Sequence, residues 1–279
     1  MAALHVWNDK AVQALTLALR ALCPQAGVEV VGSIDSTNAE LMRRGQGAHS
    51  TPTLLVALSQ TAGRGRMGRV WSAQPGQGLT FSWGMHLAPA DWSGLSLAVG
   101  LALAQALDPQ GQWGVRLKWP NDLWWQPGDT ARKLGGILIE TQMRLVRAPA
   151  PAQRWCVVGV GLNLVSPEMG ELSVPPVGWC EITGAPASCA PEVLQLCMAA
   201  LVPAMLAFER HGFAPLVDQF AQRDALRGQA VVLSDGRQGQ AQGVNAQGAL
   251  RLQTDQGVQW VSSAEVSVRP RSLQGASHV

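Results

Sequence analysis

The 279-residue chain has no tyrosine, only four phenylalanines, and few charges: Asp, Glu, Lys and Arg make up 14%. It also lacks an excess of either sign, since 21 Lys and Arg against 19 Asp and Glu leave a formal charge of +2. Proteins that coat nucleic acid or an anionic membrane carry a strongly basic balance, so this composition argues against both. The five cysteines, Cys23, Cys156, Cys180, Cys189 and Cys197, form no CxxC pair, and their number is odd. That speaks against a disulfide framework and fits a reducing compartment. No basic stretch leads into an apolar run at the N-terminus (MAALHVWNDK), so it does not read as a secretory signal. The most apolar run, Leu95 to Leu107, stops at Asp108-Pro109, well short of the about 20 residues a membrane span needs. What the chain does have is 47% hydrophobic residues, enough for a sizeable core. Its length fits one large domain with a smaller one attached.

Along the chain, Asn8 or Asp9 caps a first helix with Val12, Leu15, Leu19 and Leu22 on one stripe. Val28 to Ile34 reads as a strand. Ser36-Thr37-Asn38 offers cap oxygens to a helix from Ala39 to Arg44 that Gly45 closes. Strands follow at Thr53 to Leu58 and Leu79 to Leu87, then the buried helix Leu95 to Leu107. Val115 to Trp119 and Asp122 to Trp125 flank a Pro-Asn turn. Lys133 to Met143 and Trp155 to Leu164 are strand-like and joined by a Pro/Ala loop at 148–152. Pro191 to Arg210 is a long helix ending before Gly212. Beyond Gly228 short apolar runs (Ala230 to Leu233, Ala249 to Gln253, Val258 to Val261, Val266 to Val268) alternate with glycines, as in a small module of about five strands.

Chemistry concentrates in a few segments. Gly63-Arg64-Gly65-Arg66-Met67-Gly68-Arg69 interleaves three arginines with three glycines directly after an apolar strand. Glycine lets backbone N–H groups turn toward an anion, and arginine neutralises phosphate or carboxylate oxygens. No Gly-Lys-Ser/Thr follows, so it is not a Walker loop. The GxGxxG match runs into Val70-Trp71 and not into a helix, so it is not a dinucleotide fingerprint. These residues alone imply an anion site or a solvated loop. Lys118-Trp119-Pro120-Asn121-Asp122 and Arg132-Lys133-Leu134-Gly135-Gly136 add cations, an amide and a carboxylate between strands; a plain turn and an exposed strand end are the bland alternatives.

Taken together, Ser36-Thr37-Asn38, Gln60 with GRGRMGRVW at 63–71, KWPND at 118–122, RKLGGIL at 132–138 and GVGLNL at 159–164 resemble the biotin–protein ligases in order and spacing. The resemblance runs from about Val30 to Pro270. It implies an α+β fold: a mixed β-sheet with flanking helices, like the catalytic domain of class II aminoacyl-tRNA synthetases and biotin ligases, plus a small C-terminal SH3-like β-barrel. The implied division is a catalytic domain over 1–226, the β module over 227–271 and a tail over 272–279. The implied reaction activates biotin with ATP and Mg²⁺ to biotinyl-5′-AMP, then transfers biotin to a lysine of a biotin carboxyl carrier protein domain. Biotin and ATP are substrates, with no permanently bound cofactor.

Carried over by similarity, Ser36, Thr37, Asn38 and Gln60 line the biotin pocket. Arg64, Gly65 and Arg66 hold the biotin carboxylate and then the adenylate phosphate, and Lys133 is the catalytic cation. Arg64, Arg66 and Asp122 join it in the catalytic set, with Asp122 and Asn121 facing the phosphates and the incoming lysine. Gly63, Arg66, Asn121 and Asn163 contact ATP, and no metal ligand is implied. Trp71 and Trp83 are candidate apolar walls. Met67 and Val70 stand where relatives are often basic. Only 35 residues precede Ser36, which resembles the monofunctional form without a DNA-binding module. The family is cytoplasmic and binds neither DNA nor membrane in that form; it includes monomers and dimers, which leaves a homodimer open. The rivals are a lipoate–protein ligase or octanoyl/lipoyl transferase of the same superfamily, and a non-catalytic nucleic-acid-binding module.

Overall fold

The computed structural model describes residues 6–47, 50–72, 74–143, 153–167, 174–262 and 266–271. Seven strands, β1 (Gly27–Val31), β2 (Thr53–Ala57), β3 (Gly78–Leu87), β4 (Val115–Lys118), β5 (Asp122–Trp125), β6 (Arg132–Met143) and β7 (Arg154–Asn163), form one sheet. Their spatial order is β1-β2-β3-β7-β6-β5-β4. β1 and β2 run parallel and the other neighbours antiparallel, so the sheet is mixed as expected. The expected Pro/Ala loop at 148–152 and the tail at 272–279 lie outside the described residues.

Strand β7 shows why one face of this sheet becomes core and the other a site. Side chains alternate along a strand. Cys156, Val158, Val160 and Leu162 enter the main core, with Phe81 and Trp83 of β3. The helices α1 (Asp9–Leu22), α3 (Leu95–Leu107) and α5 (Ala190–His211) contribute Leu15, Leu101 and Leu201 to that core. The intervening residues of β7 are small or polar toward its end: Gly159, Gly161 and Asn163 line a cavity. Trp155 and Val157 instead form a second, smaller core with Leu41 and Leu55 beneath α2 (Thr37–Arg44).

Gly45 follows α2 but does not end it by backbone freedom, because its φ is an ordinary −61°. A Cβ there would lie 2.1 Å from Trp155 Cδ1, so Gly45 is needed as an absence of side chain. The Trp155 indole N–H donates to the Leu41 carbonyl at 2.8 Å, which locks helix to sheet. Trp83 is not a pocket wall: it is 0% exposed, inside the main core. Its parity on β3 is that of Phe81 and Met85, and the opposite face carries Ser82.

The segment Ala187–His211, which contains the expected long helix from Pro191 to Arg210, is long and apolar enough to cross a membrane by length and composition alone. Leu194, Leu201, Val202 and Met205 of α5 are fully buried against the rest of the protein, as in a core helix. Two short helices, α4 (Trp179–Thr183) and α6 (Val217–Arg223), were not expected.

The C-terminal sheet holds β8 (Ala230–Leu233), β9 (Gln238–Val244), β10 (Leu250–Thr254), β11 (Gly257–Val261) and β12 (Val268–Pro270), all antiparallel in the order β11-β10-β9-β8-β12. Its middle strand, β9, is the one that pattern misses: Gln-Gly-Gln-Ala-Gln-Gly-Val has no β-branched residue before its end. Ala241 is its buried anchor. The indole of Trp119 donates to the Gly248 carbonyl at 3.0 Å and ties this sheet to the β4–β5 turn.

Gly45→Ala should destabilise the protein by about 1–3 kcal/mol through overpacking against Trp155. Urea unfolding read by tryptophan fluorescence checks this, and an unshifted midpoint would contradict it.

Candidate active site

Three segments meet over the small-residue face of the sheet around a cavity of about 610 Å³. The first is the start of α2. Ser36 caps the helix, its hydroxyl accepting from Ala39 N–H. Thr37 N–H donates to Gln60 Oε1 at 2.8 Å. Asn38 reaches across the sheet, with Nδ2 donating to the Leu138 carbonyl at 3.3 Å and to Glu140 Oε2 at 2.9 Å. Ser36, Thr37 and Asn38 are all buried. Gly159 makes this approach possible, because a Cβ there would lie 2.1 Å from Asn38 Oδ1.

The second is the glycine/arginine loop, which closes as a small hairpin. Gly65 N–H donates to Arg69 O at 2.7 Å and Trp71 N–H to Gly63 O at 3.0 Å. Of the three expected flexible glycines only Gly68 takes a positive φ, 72°; Met67, at 55°, shares the turn. Gly63 is required for space, since a Cβ would sit 2.2 Å from the Trp71 carbonyl oxygen. The three arginines are not equivalent. Arg64 and Arg69 are exposed at the rim, and Arg69 Nη2 donates to Ser267 Oγ of the C-terminal sheet at 3.3 Å. Arg66 is half-buried and donates to Asn121 Oδ1 at 3.3 Å. Burial lowers the pKa of its guanidinium, opposed by Asp122.

The third is the set of three strand ends carrying Lys118, Asp122 and Lys133. Asp122 Oδ1 lies 2.8 Å from Lys133 Nζ and Oδ2 lies 3.4 Å from Lys118 Nζ. Burial pushes the Asp122 carboxyl up, but the two lysines outweigh it and hold it below its ordinary value. Burial lowers Lys118 in turn, with Asp122 opposing. Asn121 is fixed by donating to the Ile137 carbonyl at 2.8 Å, and Asn163 by donating to the Lys133 carbonyl at 3.1 Å. The Lys133 backbone is also clasped by Pro175 O and Val177 N–H. Trp71 lies against Gly161, whose Cβ would meet its ring at 2.2 Å, and Lys133 Nζ stands 6.0 Å above that ring.

All the expected site residues except Gly63 line the cavity: Ser36, Thr37, Asn38, Gln60, Arg64, Gly65, Arg66, Asn121, Asp122, Lys133 and Asn163. Gly63 is buried one residue behind the loop's inner edge. Asp122 lines the cavity as expected and is also paired with two ammonium groups of its own chain. Four contributors were missed. Lys118 was quoted within its motif but given no role. Ser82 was legible, with Thr80, as a hydroxyl in an otherwise apolar strand. Glu140 had no signal beyond a carboxylate in a strand, and Arg269 belongs to a sheet that sequence cannot bring near. The cavity wall thus carries six cations (Arg64, Arg66, Arg69, Lys118, Lys133 and Arg269) against one carboxylate, Asp122. That charge calls for an anionic ligand. Among the described residues no group of three metal-ligating side chains occurs, and the one carboxylate is already paired, so a divalent cation fits here only with an anionic ligand that brings it.

Residues 30–159 match the biotin/lipoate A/B protein ligase family and residues 228–269 match the biotin protein ligase C-terminal domain. The chain is 35% identical to the bifunctional ligase/repressor BirA of Escherichia coli over 248 residues, covering 87% of this chain and 74% of that protein. It is 32% identical to the biotin–[acetyl-CoA-carboxylase] ligase of Paracoccus denitrificans, covering 83% of this chain and 96% of that one. Among solved structures, the Aquifex aeolicus biotin protein ligase in complex with biotin and ATP superposes with a TM-score of 0.71 at 28% identity, covering 88% of this chain and 99% of that one.

A carboxyl depressed by folding binds fewer protons folded than unfolded, so its stabilisation is complete above the unfolded value, about 3.9, and is lost as pH falls through the folded value. The stability gap between wild type and Asp122→Asn should therefore hold steady near neutrality and narrow below about pH 4. Urea titrations at a series of pH values test it; a gap independent of pH would refute the paired state of Asp122.

Proposed function

The chain belongs to the biotin protein ligase family, and from that premise we propose that it converts biotin and MgATP to biotinyl-5′-AMP and pyrophosphate, then passes biotin to a lysine of a biotin carboxyl carrier protein domain. The observation that carries this reading is the division of the cavity. Its neutral polar end, at Thr37, Asn38 and Gln60, suits an uncharged ring, and its cationic end suits a carboxylate beside phosphates. Lipoate has no polar ring to occupy the first end.

In the first step a carboxylate attacks the α-phosphate, and two anions must approach each other. Arg64 and Arg66 hold the biotin carboxylate in this reading, and Lys133 stands at the junction where charge builds on the phosphate. Asp122 orients Lys133, because its carboxylate is claimed by Lys133 and by buried Lys118. Asn121 and Asn163 face the nucleotide, and Trp71 forms an apolar wall. Mg²⁺ enters as part of MgATP. In the second step the carrier amine attacks the mixed anhydride and AMP leaves; that amine must be neutral, although a free lysine has a pKa of about 10.4. The cationic wall around the junction disfavours its charged form. The reaction belongs in the cytoplasm, where ATP is supplied and the five free thiols stay reduced.

Incubation with biotin, MgATP and a carrier domain, followed by a streptavidin blot, tests the whole reading; an unlabelled carrier would reject it. Lys133→Ala should lower biotin-dependent pyrophosphate release by about 10²–10³ while leaving the circular dichroism spectrum intact. Release at the wild-type rate would remove Lys133 from the chemistry.

Arg66→Gly should still form some adenylate but hold it poorly, each 1.4 kcal/mol of lost contact speeding escape about tenfold. Bystander proteins mixed with the variant should then become biotinylated on lysines. Adenylate formation without bystander labelling would show that another group retains the intermediate.

A further inference from the structure

Behind the neutral end of the cavity lies a chain of oxygens whose protons can be counted. Asn38 Oδ1 and Ser82 Oγ are 2.6 Å apart, Ser82 Oγ and Thr37 Oγ1 are 2.7 Å apart, and Thr37 Oγ1 and Gln60 Oε1 are 3.1 Å apart. These three contacts share only two hydroxyl protons, from Ser82 and Thr37. Both ends of the chain are amide oxygens, which only accept.

The two ends are locked in that sense by other partners. Gln60 Oε1 is held by the Thr37 backbone N–H at 2.8 Å. Asn38 cannot turn its amide over, because its Nδ2 faces two acceptors, Leu138 O and Glu140 Oε2. Glu140 is half-buried on β6, on the same strand face as Gly136 and Leu138 of the cavity wall. The two shorter contacts take the two protons: Ser82 donates to Asn38 and Thr37 donates to Ser82. The Thr37–Gln60 gap is then left with two acceptors facing each other, and the chain lacks one proton.

We propose that Glu140 is a positioning residue that determines specificity. By fixing the sense of Asn38, it keeps the chain one proton short at the cavity wall, so that the site selects a ligand that supplies an N–H to Thr37 Oγ1. This inference rests on the biotin reading above, since the ureido ring of biotin carries such an N–H. A donor at position 140 would reverse the order. Asn38 would present its oxygen to that donor, giving up its bond to the Leu138 carbonyl, and its Nδ2 to Ser82; the two hydroxyls would then donate toward Gln60, and every contact along the oxygen chain would be filled before a ligand arrives.

Isothermal titration with biotin and with biotin methylated on its ureido nitrogens tests this in wild type, Glu140→Lys, Glu140→Leu and Glu140→Gln, with thermal midpoints recording the fold. Glu140→Lys should weaken biotin binding by about tenfold or more and reduce the preference for biotin over its methylated form. Glu140→Gln, which can still present an acceptor, should restore both affinity and preference, and Glu140→Leu should lie between. If Glu140→Lys does not fold, the contrast between Leu and Gln carries the same information. Equal affinity and equal preference in all folded variants would overturn the role of Glu140 while leaving the biotin reading standing. A wild type that binds neither compound would overturn both.

Discussion

The Asp122 carboxylate between Lys118 and Lys133 is the interaction on which the rest of the site depends. Two buried or half-buried ammonium groups so close together repel, and the intervening charge makes their neighbourhood tolerable. The arrangement fixes the ends of β4, β5 and β6 relative to one another and leaves one lysine, Lys133, free on its outer side to meet a ligand. It also leaves the cavity wall strongly positive until an anion fills it, so that assembly of the site and demand for its substrate have the same electrostatic cause.

The sheet makes this arrangement possible by dividing its two faces between different tasks. Apolar residues of β3 and β7 go under α3 and α5, and toward the cavity the opposite face is reduced to Thr80, Ser82, Gly159, Gly161 and Asn163. Gly159 gives Asn38 its path across the strand, and Gly161 gives Trp71 its seat. The C-terminal module completes the wall with Ser267 to Pro270, Ser267 bonded to Arg69, while Trp119–Gly248 fastens the smaller sheet to the β4–β5 turn.

Much of this was legible in the sequence because the signals are local. The cap at Ser36, the apolar run of α3 and the strands on either side of Pro120-Asn121 all stand where their residues suggest. What escaped was non-local or silent in composition. β9 is held by strands on both sides, and its glutamines say nothing of that. Gly45 reads as a helix terminator in one dimension, and only the fold reveals Trp155 beside it. The site followed the same rule: its motifs were visible through a family resemblance, whereas the pairing of Asp122 with Lys118 and Lys133 arises where three strands converge. Trp83 had the right chemistry for a wall and the wrong parity on its strand.

The central claim is that the positive cavity joins a biotin carboxylate to the α-phosphate of ATP. Exchange of labelled pyrophosphate into ATP reads that step without any carrier protein. The account predicts exchange that requires both the enzyme and biotin and that lipoate does not support. Exchange that proceeds without biotin, or equally well with lipoate, would contradict it.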